Sequence, residues 1–202
     1  MKSPFRPILD FWLKESRLTK RILLLTGRPG VGKTSVMLRI VESLKTRGYE
    51  VGGMVSREVR LGRDRVGFEI LNLNTGRKGW LAHVAQVEGP RVGRYRVNIG
   101  DLEDIGVEAI VSAVERSDLI VVDEIGPMEL HSEKFKEAVL RAAESLKLLI
   151  GVVHWQATDD LTNRIKGRDD AEIHVVTLDN RDNLPARMLS EAVAFLSGVA
   201  VE

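Results

Sequence analysis

Gly27, Gly32, Lys33 and Thr34 stand at the spacing G-x-x-x-x-G-K-[ST], within Gly27-Arg28-Pro29-Gly30-Val31-Gly32-Lys33-Thr34. Backbone N–H groups can wrap a polyphosphate only where no Cβ blocks the approach, so glycines are required. A helix opening at the end of such a loop adds free N–H groups and the positive end of its dipole. In this pattern Lys33 reaches the β- and γ-phosphates and the Thr34 hydroxyl ligates Mg²⁺. The second piece of chemistry is Asp123-Glu124, which closes the apolar run Leu119-Ile120-Val121-Val122. A carboxylate at the end of a buried strand is costly unless something positive meets it. Beside a phosphate loop that partner is Mg²⁺ with its waters, held by Asp123. Glu124 lies one residue further on, where it can orient and deprotonate a water.

The elements that must position these groups can be read in order. Arg21–Thr26 is a continuous apolar run, as a parallel strand buried on both faces requires. The segment after the loop carries Val36, Met37, Ile40, Val41 and Leu44 at helical spacing and stops at Arg47-Gly48. Residues 49–84 alternate in short extended stretches broken by Leu61–Arg65 and Asn74–Arg77, which predicts an antiparallel β insertion. Its Arg57, Arg60, Arg63, Arg65 and Arg77 form a positive cluster, either solvated or in part turned toward phosphates. Gln86–Asn98 reads as loop. Asp101 reads as the cap of a helix using Leu102, Ile105, Ala109, Ile110 and Ala113. A further helix buries Phe135, Val139, Ala142 and Leu146, before a strand that ends at His154. That histidine is either a γ-phosphate sensor or a satisfied loop side chain.

Toward the C-terminus, Thr158–Asp160 starts a helix ending near Arg164 and Arg168, which stand either as transition-state cations or as its basic end. The last strand, Ile173–Thr177, leads into Leu178–Asp182 and a final helix. Asn180 and Arg181 are base-contact candidates, with helix capping the alternative role for this loop. The whole reads as an α/β chain on a mainly parallel sheet. Residues 1–20 are expected as an N-terminal helical appendage, and 21–202 as one domain.

Composition limits the functions available. The 202 residues are 44% apolar, enough for a substantial core, and 30 basic residues nearly balance 29 acidic ones at a net charge of +1. There is no global basic footprint for nucleic acid. The absence of cysteine excludes disulfides and cysteine zinc sites and fits a cytoplasmic setting. No apolar run approaches a membrane span.

Taken together, the motifs resemble the THEP-type nucleoside-triphosphatase family. The likeness runs from about Ile22 to Phe195. It is carried by the phosphate loop, Glu58-Val59-Arg60 with Gly67-Phe68, and Gly93-x-Tyr95-x-Val97. Asp123-Glu124-Ile125-Gly126-x-Met128-Glu129-Leu130 and Asn180-Arg181 complete it. The resemblance implies a P-loop NTPase fold and Mg²⁺-dependent hydrolysis of ATP, GTP, CTP and UTP with little base selectivity. It places Gly27 to Thr34 on the phosphates, Asp123 and Glu124 at metal and water, and Glu129 in the site wall. The family usually has Lys at the position of Pro127, Glu at Arg57 and Pro at His154. Another cation, Arg57 being the candidate, must then replace that lysine, or turnover is reduced. Two other activities fit the same motifs: a small nucleotide or metabolite kinase, and a nucleotide-dependent interaction switch with slow hydrolysis. Oligomeric state is open.

Overall fold

The computed structural model describes residues 20–198. The helical appendage expected over 1–20 lies outside the described residues, Lys20 apart. One nine-stranded sheet, in the order β5-β6-β4-β3-β2-β7-β8-β1-β9, runs through the molecule. Its strands are β1 (Ile22–Thr26), β2 (Val51–Leu61), β3 (Asp64–Asn72), β4 (Lys78–His83), β5 (Arg91–Val92), β6 (Tyr95–Val97), β7 (Leu119–Ile125), β8 (Leu148–Val153) and β9 (Ala171–Val175). The pairs β2·β7, β7·β8, β8·β1 and β1·β9 are parallel. The pairs β2·β3, β3·β4, β4·β6 and β5·β6 are antiparallel.

Alternation along the parallel strands sends side chains into two cores. Leu23 and Leu25 of β1, with Val121 and Ile150, meet α1 (Lys33–Thr46) and α5 (Leu184–Ser197). Ile22 and Leu24, with Ile120, Val122 and Leu149, face the other layer. That layer holds α2, α3 (Glu133–Glu144) and α4 (Asp160–Lys166). Helix α2 is built from Ile99–Asp101, a π-helical stretch Leu102–Val107, and Glu108–Arg116. Burial on both faces explains why β1, β7 and β8 read as unbroken apolar runs. At the edge, the Arg187 guanidinium donates to Glu172 and Glu191, each at 3.0 Å, and ties α5 to β9.

Several expectations change. Strand β2 belongs to both halves of the sheet: Val51–Val55 pair with β7, and the strand pairs with β3 on its other side. The antiparallel region also continues past residue 84, because β5 and β6 form a hairpin where loop was expected. Strands of two and three residues are too short to leave a period-2 signature. The cap of α2 is Asn98, whose side chain accepts from the Asp101 N–H at 3.1 Å. Asp101 instead accepts from the Trp80 N–H at 2.7 Å, joining α2 to β4. Leu146 is 89% exposed, because α3 has already ended at Glu144.

Candidate active site

Strand β1 delivers the chain to Gly27, where a Cβ would stand 2.6 Å from the Val176 carbonyl oxygen. Only glycine lets the loop pass this close to the end of β9. Helix α1 then starts at Lys33 from Gly32, which offers no side-chain cap. The first-turn N–H groups of Lys33, Thr34 and Ser35 are therefore left to an anion. Lys33 is nearly buried; its Nζ donates to the Gly27 carbonyl at 3.1 Å and lies 3.9 Å from Glu124 Oε2.

Strand β8 lies between β1 and β7, so the end of β7 faces the loop across one strand width. Asp123 is buried there, with the Thr34 hydroxyl beside it. Its Oδ2 has no hydrogen-bond partner. Burial pushes its pKa up to about 7, reinforced by Glu124 and opposed by Thr34 and Lys33. In the pairing with β8, Asp123 lies opposite Val152 and Ile125 opposite Val153, so Glu124 is an extra residue that re-aims the strand end. Burial also raises the Glu124 pKa, against the pull of Lys33 and His154. Glu129 is buried and raised to about 8 by desolvation and by Glu124. Gly126 separates these two acids: a Cβ there would stand 2.9 Å from Glu124 Oε1 and 3.3 Å from Glu129 Oε2. Three carboxyl groups thus converge where Lys33 is the neighbouring cation. An added cation is the arrangement's natural complement, and the free Asp123 Oδ2 beside Thr34 fits a divalent metal of oxygen preference.

The opposite wall comes from the antiparallel strands. Ser56 and Glu58 of β2, Arg65 and Phe68 of β3, Leu81 of β4 and Val92 of β5 close a cavity of about 490 Å³ over the phosphate loop. The Arg65 guanidinium is fixed within it. Its Nε donates to the Tyr95 hydroxyl at 2.8 Å and it donates to Glu58 Oε2 at 2.9 Å. It also lies 5.2 Å from the Phe68 ring centroid. Pro127, Met128 and His154 complete the lining.

The structure therefore brings Pro29, Gly30, Gly32, Lys33, Thr34, Asp123 and Glu124 to one cavity, while Gly27 and Arg28 line its neighbour across the loop. Val31 contributes to that second cavity as well. Asn180 stays apart, because its amide is consumed by its own loop. It donates to the Val175 carbonyl at 2.8 Å and accepts from the Thr177 N–H at 2.9 Å. Arg181 packs along the phosphate loop beside Gly32 and lines neither cavity. Arg57 is exposed and sits opposite Glu69, on the other face of β2 from Ser56 and Glu58. It is Arg65, not Arg57, that faces the site. Arg164 and Arg168 are engaged elsewhere, by Glu144 and Asp170. Arg65 stood in the basic cluster, but linear order could not separate it from its neighbours.

A phosphate loop on a buried strand, an acidic strand end two strands away and a metal-compatible carboxylate define a nucleotide-binding α/β protein of the P-loop class. The chain belongs to the NTPase family, whose sequence profile matches residues 22–189. It is 46% identical over 177 residues to the nucleoside-triphosphatase THEP1 of Thermofilum pendens, covering 86% of this chain and 96% of that one. It is 40% identical to the protein of the same name from Thermotoga maritima, covering 83% and 93%. Among solved structures, THEP1 of Aquifex aeolicus superposes with a TM-score of 0.74 at 27% identity, over 84% of this chain and 97% of that one. A human cancer-related nucleoside triphosphatase superposes at 0.71 with 31% identity, over 84% and 96%.

Proposed function

We propose that this enzyme hydrolyses nucleoside 5′-triphosphates to diphosphate and phosphate, with low base selectivity and with Mg²⁺. The observation that carries the reading is the placement of Glu124, 3.9 Å from Lys33 Nζ and inside the cavity that the phosphate loop lines. The β- and γ-phosphates lie on the N–H groups opening α1, and Lys33 leaves the Gly27 carbonyl to bridge them. Thr34 and Asp123 would hold Mg²⁺, which supplies charge stabilisation at the phosphate oxygens when bound. Glu124 accepts the proton of a water as its oxygen bonds to the γ-phosphorus. The bond from that phosphorus to the β–γ bridging oxygen breaks, and the diphosphate leaves with the electron pair. Arg65, fixed by Tyr95 and Glu58, supplies the cation opposite the loop that Pro127 cannot.

Phosphate release from ATP, GTP, CTP and UTP, with and without Mg²⁺, tests the activity. The Glu124→Gln variant should keep nucleotide affinity and lose about 10²–10⁴-fold in kcat, the range for a general base. Full turnover in that variant removes Glu124 from the role. A phosphotransferase is the second reading, supported by the apolar far wall of Phe68, Leu81, Val92 and Met128. Phosphate that appears only on an added acceptor would favour it. No helix among the described residues is long and apolar enough to cross a membrane.

A further inference from the structure

The second cavity, about 480 Å³, lies on the other side of the phosphate loop and shares its backbone. Gly27, Arg28 and Val31 line it from the phosphate loop, with Trp155, Val175, Thr177 and Leu178 among its other lining residues. Trp155, Val175 and Leu178 are 43%, 56% and 67% exposed, an apolar patch beside the phosphate loop. Sheet order sets its relation to the chemistry. Asp123 and Glu124 end β7, on the β8 side of β1, whereas Val175 ends β9, on the opposite side. A triphosphate with its γ-phosphorus at Glu124 therefore runs back along the loop and leaves over Arg28, toward Trp155 and Leu178.

The polar groups that β9 and the loop after it turn toward this cavity are largely spent. The Thr177 N–H donates to Asn180 Oδ1, its carbonyl accepts from the Arg181 N–H at 3.1 Å, and its hydroxyl accepts from the Asn180 N–H at 3.3 Å. The Val175 carbonyl takes the Asn180 amide, and the Val176 N–H donates to the Thr26 carbonyl at 2.7 Å. What remains is the exposed Arg28 side chain, over which the phosphates leave, and an aromatic and aliphatic surface that every base can stack on.

We infer that Trp155 and Leu178 form the nucleobase platform of this enzyme, binding any base by stacking, and that Asn180 positions the platform from behind. The inference rests on the nucleotide reading above and adds where the base lies and why its identity matters little.

The test compares Trp155→Ala and Trp155→Phe on ATP, GTP, CTP and UTP, with inorganic tripolyphosphate as a base-free competitor. Trp155→Ala should raise KM for all four nucleotides by a similar factor, about 5- to 100-fold, through KM rather than kcat. Trp155→Phe should restore most of the loss, and the inhibition constant of tripolyphosphate should not move. An unchanged KM overturns the platform while leaving hydrolysis intact. A rise confined to one base overturns stacking in favour of edge reading, and an equal rise for tripolyphosphate reduces Trp155 to loop support. A wild-type enzyme that neither binds nor hydrolyses any nucleotide overturns the nucleotide reading itself, and the platform with it.

Discussion

The two halves of the sheet are built by different rules and contribute differently to the cavity. In the parallel half, β1, β7 and β8 are covered on both faces, and their ends carry Gly27, Asp123, Glu124 and His154. In the antiparallel half, β3 to β6 and the outer part of β2 are partly exposed and carry Glu58, Arg65, Phe68 and Tyr95. The first half holds these groups on a scaffold that cannot shift without repacking two cores. The second supplies a wall whose charge is held by surface pairs such as Arg65–Glu58, at 42% and 36% side-chain exposure. The parallel half should thus dominate both chemistry and stability, and the antiparallel half should tune them.

Lys33→Ala gives the largest expected effect. Loss of the charge facing the β- and γ-phosphates should cut kcat/KM for ATP by about 10³-fold or more, measured as phosphate release. A residual rate within tenfold of wild type would move the phosphate-binding role away from the loop. A pair of identical substitutions then compares stability in the two halves. Leu24→Ala, at a fully buried position in β1, should cost about 2–5 kcal/mol in urea unfolding. Leu61→Ala, at the 72% exposed end of β2, should stay within about 0.5 kcal/mol. Equal costs would mean that the antiparallel half is as much a part of the cooperative core as the parallel one.

This division also decides what the linear sequence could reveal. Gly27 to Thr34 and Asp123-Glu124 are legible because a phosphate loop and a strand-end acid pair are contiguous in the chain. The long strands and helices were legible because burial on one or two faces leaves a period. Which arginine faces the site was not, since it depends on pairing. The β2·β3 register shifts between Val59 and Arg60, and parity along β2 turns Arg57 away from the side used by Ser56 and Glu58. Trp155 and Leu178 follow different strands and meet only because β8, β1 and β9 are neighbours. Asn180 has the right chemistry for reading a base, yet its amide closes a turn, which residue type alone does not disclose.

Arg65 probes the tuning role directly. Arg65→Ala should lower kcat/KM by about tenfold, or about 1.4 kcal/mol, well short of Lys33→Ala. Arg65→Lys should recover only part of this, because an ammonium cannot reproduce the guanidinium fork shared between Tyr95 and Glu58. A loss as deep as that of Lys33→Ala would make the antiparallel wall a principal source of catalysis and end the division drawn above.

A stability effect of modest size tests where the parallel half is fastened. Asp170 precedes β9, and its backbone carbonyl accepts from the N–H groups of Arg21 and Ile22, both at 3.0 Å. Its carboxylate accepts from Arg168 Nε at 2.8 Å and from the buried Arg21. Arg168 foremost, with Arg21, holds the Asp170 pKa down at about 2 against the opposing effect of burial. A depressed folded-state pKa stabilises the fold above the unfolded-state value near 4, and that contribution disappears as pH falls from about 4 to 2. Asp170→Asn should therefore cost about 1–2 kcal/mol in urea unfolding at pH 7, within the range for charge-assisted hydrogen bonds partly open to water. The gap between variant and wild type should narrow as pH drops through that window. A gap that stays constant down to pH 2 would show that the carboxylate's charge contributes nothing, and no gap at all would leave the fastening of β1 to β9 to the backbone hydrogen bonds alone.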